Sequence, residues 1–162
     1  MDGLFTETTP QYGDNNVGWY KGKEYEEWVI AKYPTVYPGR KLTLLQGKQE
    51  QLRGETKEGV EIKFDDKIYA YCHSGRVYIE MYEKSRPENR DYVESGIFRD
   101  DNTKLLLIGD YSIWFLFSKQ WLRWIERLDP PFLYRPKPTP TSIGFCIPVP
   151  NAKRLCLDFY RF

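Results

Sequence analysis

From Lys41 to Phe117 the chain runs in short apolar or alternating segments broken by glycine, a pattern of strands. Lys41–Leu45 and Val60–Phe64 are predicted as strands, the second entered from the turn Lys57-Glu58-Gly59. Ile68–Cys72 and Val77–Tyr82 read as a hairpin around His73-Ser74-Gly75, followed by a charged loop, Glu83–Arg90, and a short strand near Ser95–Arg99. Leu105–Ile108 and Ile113–Phe117 are nearly continuous apolar runs split by Gly109-Asp110-Tyr111-Ser112, as expected of strands buried on both faces.

Helical spacing brackets these strands. In YKGKEYEEWVIAKYP, Tyr25, Trp28, Val29 and Lys32/Tyr33 recur near i, i+3, i+4 and i+7/i+8, with Pro34 as the stop. Glu24, Glu26 and Glu27 fall in the early turns of that helix, where the partial positive charge of the N-terminus favours acids. Ser118 is placed to N-cap a helix over Lys119–Leu128, with Trp121, Leu122, Trp124, Ile125 and Leu128 as its apolar side. Pro130, Pro131, Pro136, Pro138 and Pro140 make a stiff extended connection. Gly144–Val149 reads as an edge strand and Asn151–Phe162 as a closing amphipathic helix. Residues 1–18 lack periodicity and read as a loose arm, leaving 19–162 as a single domain. The order of elements predicts an α/β (α+β) domain with a central mixed sheet flanked by helices.

Composition narrows the chemistry. With 24 basic and 23 acidic side chains the formal net charge is +1, so no overall basicity argues for nucleic acid, although local patches remain open. An aromatic content of 17% speaks against disorder. His73 is the only histidine, which removes multi-imidazole metal sites and histidine pairs. Cys72, Cys146 and Cys156 form no C-x-x-C pair, so neither structural zinc nor a disulfide framework is expected. No apolar run reaches the roughly 18–20 residues of a membrane span. A cytoplasmic, reducing setting follows, with catalysis resting on carboxylates, lysines and tyrosines.

Residues 48–67, KQEQLRGETKEGVEIKFDDK, hold the candidate chemistry. On a strand, Glu61 and Lys63 share one face while Val60, Ile62 and Phe64 take the other. A cross-strand ion pair on a half-exposed strand would account for that. Glu50 and Glu55 lie upstream, however, and carboxylates converging at a strand end make an oxygen-only site for Mg²⁺, with Mn²⁺ as a substitute. A lysine beside such an ion can orient or help deprotonate water and stabilise a phosphorane-like transition state.

An acidic helix, a later acid and a strand bearing E-x-K resemble the core motif of the PD-(D/E)xK, or restriction-endonuclease-like, nuclease superfamily. KGKEYEEWVIAKY is similar to the opening helix of archaeal-type Holliday-junction resolvases, where K-G-x-x-[FY]-E supplies the first acid; the resemblance places it at Glu26. GETKEGVEIKFD, SGRVYIEMYEK and SGIFRDDN are similar to small nuclease-like proteins of phages and bacteria. The likeness covers about Lys21 to Phe117, with an extension into TSIGFCIP. It implies Glu61 as metal ligand and Lys63 as the catalytic lysine. The superfamily's central aspartate is replaced here: Glu50 matches best by spacing and Glu55 competes. It further implies a Mg²⁺-dependent endonuclease acting on branched or duplex DNA, resolvase-like and homodimeric. A restriction-type or DNA-degrading nuclease is the alternative within the class, and a non-cleaving binding module on the same fold is the alternative outside it.

Other groups have plainer readings. Glu80 and Lys84 read as a surface pair more than as part of the site, and Asp65 and Asp66 as strand-end turn formers more than as support around it. His73 reads as a loop residue more than a general acid, and Ser95 as a turn residue before Gly96 more than a phosphate contact. Gln120 is a candidate contact to the E-x-K region. Tyr69, Tyr71, Tyr78 and Tyr82 read as core packing or a stacking rim for unpaired bases. Lys41, Lys48, Arg53, Lys57, Lys63, Lys67, Lys84, Arg86 and Arg90 are the candidate phosphate contacts.

Overall fold

The computed structural model describes residues 10–65 and 75–162, with backbone alone over 10–19. It divides into two compact units, 1–41 and 42–162, where the sequence suggested a single domain from residue 19. The expected strand Ile68–Cys72, with Tyr69 and Tyr71, and the residues Asp66, Lys67, His73 and Ser74 lie outside the described residues.

The first unit contains α1, Pro10–Val36. Proline is favoured at a first helical position because its missing N–H has no intrahelical partner there. The helix thus begins within the segment expected to be a loose arm. Pro34 falls in its last turn rather than ending it, and Tyr37 N donates to Tyr33 O at 2.8 Å where the chain leaves the helix. Glu24, Glu26 and Glu27 therefore sit in mid-helix, too far from the N-terminus for its partial charge to matter. Tyr25, Val29 and Tyr33, at i, i+4 and i+8, are its buried stripe.

The second unit is mixed α+β, with two sheets. A four-stranded sheet has the order β1-β4-β5-β7, in which β1 (Val60–Phe64) runs parallel to β4 (Leu105–Gly109). The pairings of β4 with β5 (Ile113–Ser118) and of β5 with β7 (Asp158–Arg161) are antiparallel, so this sheet is mixed. A three-stranded antiparallel sheet has the order β3-β2-β6, from Val93–Glu94, Arg76–Glu83 and Ser142–Pro148. β6 is an edge strand, as its sequence suggested. Lys48–Gln51 forms the short α2, Lys119–Leu128 is α3 and Val149–Leu155 is α4.

The apolar patterns explain the core. Ile113 to Phe117 is buried at every position, since both faces of β5 are covered. β2 alternates, with Val77, Ile79 and Met81 buried and Tyr78, Glu80 and Tyr82 partly exposed. Leu106, Ile108, Phe115 and Phe117 join Val77, Ile79, Phe145 and Ile147 in one cluster, closed by Leu122, Ile125 and Ala152. The β4–β5 turn is held by Asp110, whose Oδ1 accepts from Ser112 N at 2.8 Å, Ser112 Oγ at 2.7 Å and Ile113 N at 3.0 Å.

Several expectations are corrected. Lys41–Leu45 is not a strand: Leu44 makes one isolated bridge to Thr56, and Thr43 spends its N–H and hydroxyl on the Glu58 carboxylate, at 2.7 and 3.0 Å. Near Ser95–Arg99 the chain instead forms β3 followed by a 3-10 turn, Gly96–Phe98. Gly96 has φ +51, and a Cβ there would lie 2.0 Å from Glu80 O, so only glycine lets this turn approach β2. Only the first part of Asn151–Phe162 is helical; Phe159 and Tyr160 alternate on β7, where backbone pairing to β5 outweighs the helical spacing.

On α3, Leu122 and Ile125 face the core, but Trp121, Trp124 and Leu128 are exposed. Ser118 caps this helix as expected, its Oγ accepting from Trp121 N at 3.2 Å. Ser118→Ala should lower stability by about 1 kcal/mol in urea unfolding, with Ser118→Thr restoring most of it.

Cys146 lies on β6 and Cys156 just after α4, and no disulfide joins them. Burial, then the Asp158 carboxylate, pushes the Cys156 thiol up to about 11. The thiolate is the nucleophile, so Cys156 should resist iodoacetamide near neutral pH. Peptide mapping should find its alkylation rate still climbing beyond about pH 9, where an ordinary thiol, with pKa near 8.5, has levelled off.

Candidate functional site

The sequence put Glu61 and Lys63 on one face of β1. The side chains they meet come from two different parts of the fold. The Lys119 ammonium, from the first residue of α3, lies 2.6 Å from Glu61 Oε1, with the two side chains 1% and 10% exposed. It also donates to Thr103 Oγ1 at 2.8 Å and Gly96 O at 3.1 Å. Three acceptors thus surround the three donors of a buried ammonium, which makes its burial tolerable. The contact to Glu61 is a charge contact rather than an aligned hydrogen bond, and Oε1 has no aligned donor among the described residues. Thr103 Oγ1 in turn donates to Asp101, whose other oxygen lies 2.6 Å from Arg99 Nε.

Lys63 turns toward β2. Its Nζ donates to Glu80 Oε1 at 3.1 Å; the lysine side chain is 42% exposed and the glutamate 11%. Ser95 Oγ donates to the same Glu80 oxygen at 3.1 Å, and Ser142 Oγ to Oε2 at 2.8 Å. Tyr78 OH and Ser142 Oγ share a 2.7 Å bond. Asp65, immediately after β1, is buried and its Oδ2 accepts from Tyr78 N at 2.9 Å. Two bridges, Lys63 to Glu80 and Asp65 to Tyr78, therefore tie the end of β1 to β2.

Partial burial pulls the Lys63 pKa down, but the carboxylates of Glu80, Glu61 and Glu83 together pull it up further, and the net direction is upward from 10.5. A raised lysine pKa means the charged form is favoured by folding. The stabilisation is complete below the unfolded value and is lost as pH rises through the folded one. At neutral pH Lys63 is an ammonium, suited to donating a hydrogen bond and positive charge and unsuited to deprotonating water. The Tyr78 hydroxyl is also raised, by burial first and by the Glu80 charge second among the raising causes, so it stays protonated.

The carboxylates predicted from sequence to gather with Glu61 each have a partner of their own. Glu50 is exposed on α2, where its Oε1 accepts from Gln46 N at 3.3 Å. Glu55 Oε1 accepts from Ile62 N at 3.2 Å, serving a backbone donor of β1. Glu26 belongs to the first unit and pairs with Lys23 at 3.6 Å, one turn away on α1. Among the described residues no three or more histidine, cysteine, aspartate or glutamate side chains form a group able to hold a metal ion.

Conversely, groups given plainer readings belong to the polar centre. Glu80 pairs with Lys63 rather than Lys84, whose ammonium sits 4.5 Å from the Tyr92 ring centroid. Ser95 opens the 3-10 turn as expected, its carbonyl accepting from Phe98 N at 2.9 Å, and Ser95 and Asp65 are in addition buried hydrogen-bonding partners of β2. Tyr82 stacks on Phe98 at 5.6 Å, whereas the buried face of β2 is aliphatic. Lys119 was missed altogether, because nothing in a cationic first helical residue signals a buried partner.

No protein-family model, no curated protein and no solved structure matches this chain.

Proposed function

We propose that the chain is a Mg²⁺-dependent endonuclease of the restriction-endonuclease-like class, hydrolysing phosphodiester bonds in DNA, with Lys63, Glu80 and Asp65 at its centre. The observation that supports this best is the Lys63–Glu80 pair, a half-exposed ammonium held at 3.1 Å from a nearly buried carboxylate, with Asp65 at the end of β1 bonded to Tyr78 N on the strand that carries Glu80. A preference for branched DNA, a homodimer delivering two symmetric nicks and a cytoplasmic setting complete the proposal.

The donors here are oxygens, the kind a hard cation takes. Glu80 and Asp65 are the carboxylates that would hold Mg²⁺, with Ser95 and Ser142 supplying hydroxyl oxygens near Glu80. Bound there, Mg²⁺ would supply Lewis-acid polarisation of the phosphate and a lowered pKa for its water. The chain's own contribution is clearer. Lys63 presents a fixed positive charge where negative charge develops on the phosphorus oxygens, and donates to the attacking water or a phosphoryl oxygen. Ser95 and Ser142 hold the Glu80 carboxylate so that the pair does not collapse when substrate arrives. Glu61 is assigned to the buried pair with Lys119, which anchors α3 beside the site.

A second reading, a non-cleaving binding module, is favoured by one observation: both Glu80 oxygens already accept from protein donors. Incubation with a four-way junction, a linear duplex and single strands, in Mg²⁺ and in EDTA, separates the two. Mg²⁺-dependent scission supports the nuclease; intact DNA throughout supports the module.

A further inference from the structure

The outward side of α3 carries a shallow groove of about 200 Å³ lined by Gln120, Arg123, Trp124 and Arg127. None of the four is acidic. Glu126, the acid on this helix, is engaged 3.2 Å from Arg135. Arg123 spends Nε on Ile97 O at 2.6 Å, and its terminal guanidinium nitrogens have no other bond among the described residues. Arg127 lies 5.5 Å from the Trp124 ring centroid, and Trp124 is 48% exposed. Within the described fold this half-exposed indole is flanked by two guanidinium groups, one of them, Arg127, lying against its ring.

We propose that this groove binds an unpaired nucleotide stretch, with a base stacked on Trp124 and phosphates on Arg123 and Arg127. Charge complementarity sets the sign of the ligand, and the exposed aromatic face selects a flat, unpaired base over the closed stack of a duplex. The choice of a nucleic acid over another polyanion rests on the nuclease reading. The fold links the two places through the 3-10 turn. Arg123 holds Ile97 O, Lys119 holds Gly96 O, and Ser95, immediately before them, holds Glu80. A strand seated on α3 thus contacts the helix that is fastened to the segment supporting the proposed centre. The substrate class that follows is DNA with single-stranded character next to the scissile bond.

The test is fluorescence anisotropy in EDTA with a labelled oligo-dT 12-mer and a 12-base-pair duplex, so that binding is read whether or not the protein cleaves. Trp124→Ala should weaken oligo-dT binding about 5- to 150-fold while leaving the salt dependence intact. Arg127→Ala should reduce the slope of log affinity against log salt by about 0.7. Lys137→Ala, an equal change of charge in the proline-rich connection, should do neither. Undetectable oligo-dT binding by the wild type, equal binding by Trp124→Ala, or an equal loss for the duplex would overturn the proposal. So would a polyglutamate peptide that binds as tightly with the same dependence on Trp124. Absence of cleavage in Mg²⁺ with these binding effects intact would sink the nuclease reading alone.

Discussion

Lys119→Met is expected to lower the unfolding free energy by about 3–5 kcal/mol, the usual result of removing one partner of a buried ion pair. The mutant would leave the Glu61 carboxylate, 10% exposed, facing an apolar side chain in place of an ammonium 2.6 Å away. A loss of that size is a large fraction of the roughly 5–15 kcal/mol that holds a typical domain together. Urea unfolding followed by tryptophan fluorescence measures it directly. The double variant Glu61→Leu/Lys119→Met should recover most of the loss, because two apolar groups need no mutual compensation. A single variant within about 0.5 kcal/mol of wild type would mean that water reaches Glu61 and that the pair is not buried in solution. Glu61→Gln should cost less than Lys119→Met, since the ammonium keeps its bonds to Thr103 Oγ1 and Gly96 O and the amide oxygen still presents a dipole to it.

Lys63→Met and Glu80→Gln are each expected to reduce Mg²⁺-dependent cleavage by about 10²–10³-fold, the range seen when a preorganised charge is removed from a developing oxyanion. Thermal unfolding should change little for Lys63→Met, because the Lys63 side chain is itself 42% exposed, Glu80 keeps its two serine donors, and such pairs add at most about 1 kcal/mol. Activity and stability are thereby separable at Lys63, whereas at Lys119 they fall together. The pH dependence carries a further constraint. Because Lys63 is raised from 10.5, its proton stays on across the neutral and mildly alkaline range, and no descending limb belonging to Lys63 should appear below that value. A rate that fell as pH rose from 7 to 9 would assign the limb to another group.

Three strands of the mixed sheet, β1, β4 and β5, were legible because their patterns are local. Ile113 to Phe117 has no polar position to place in solvent, and Val60, Ile62 and Phe64 alternate against Glu61 and Lys63. Ser118 was legible as a cap for the same reason, one hydroxyl placed before an apolar-periodic run. What the sequence hid depends on distant partners. Asn151–Phe162 has helical spacing throughout, yet Phe115 and Leu116 pair with Phe159 and Asp158, and the ladder overrides the local preference. Glu80 occupies the partly exposed side of β2 by alternation, so it reads as surface; only the approach of Lys63 from β1 and of two serines covers it. The E-x-K spacing correctly placed Glu61 and Lys63 on one face but could not assign their partners. Lys119 comes from α3 and Glu80 from β2, and each claims one of the two charges that the spacing suggested would act together.

The most direct measurement is single-turnover cleavage of a labelled four-way junction by wild type and by Glu80→Gln, each in Mg²⁺ and in EDTA. Cleavage by wild type in Mg²⁺, none in EDTA, and a loss of about 10²-fold or more in Glu80→Gln is the predicted result. Equal rates for the two proteins in Mg²⁺, or a junction left intact by both while still bound, would contradict a catalytic centre at Lys63 and Glu80.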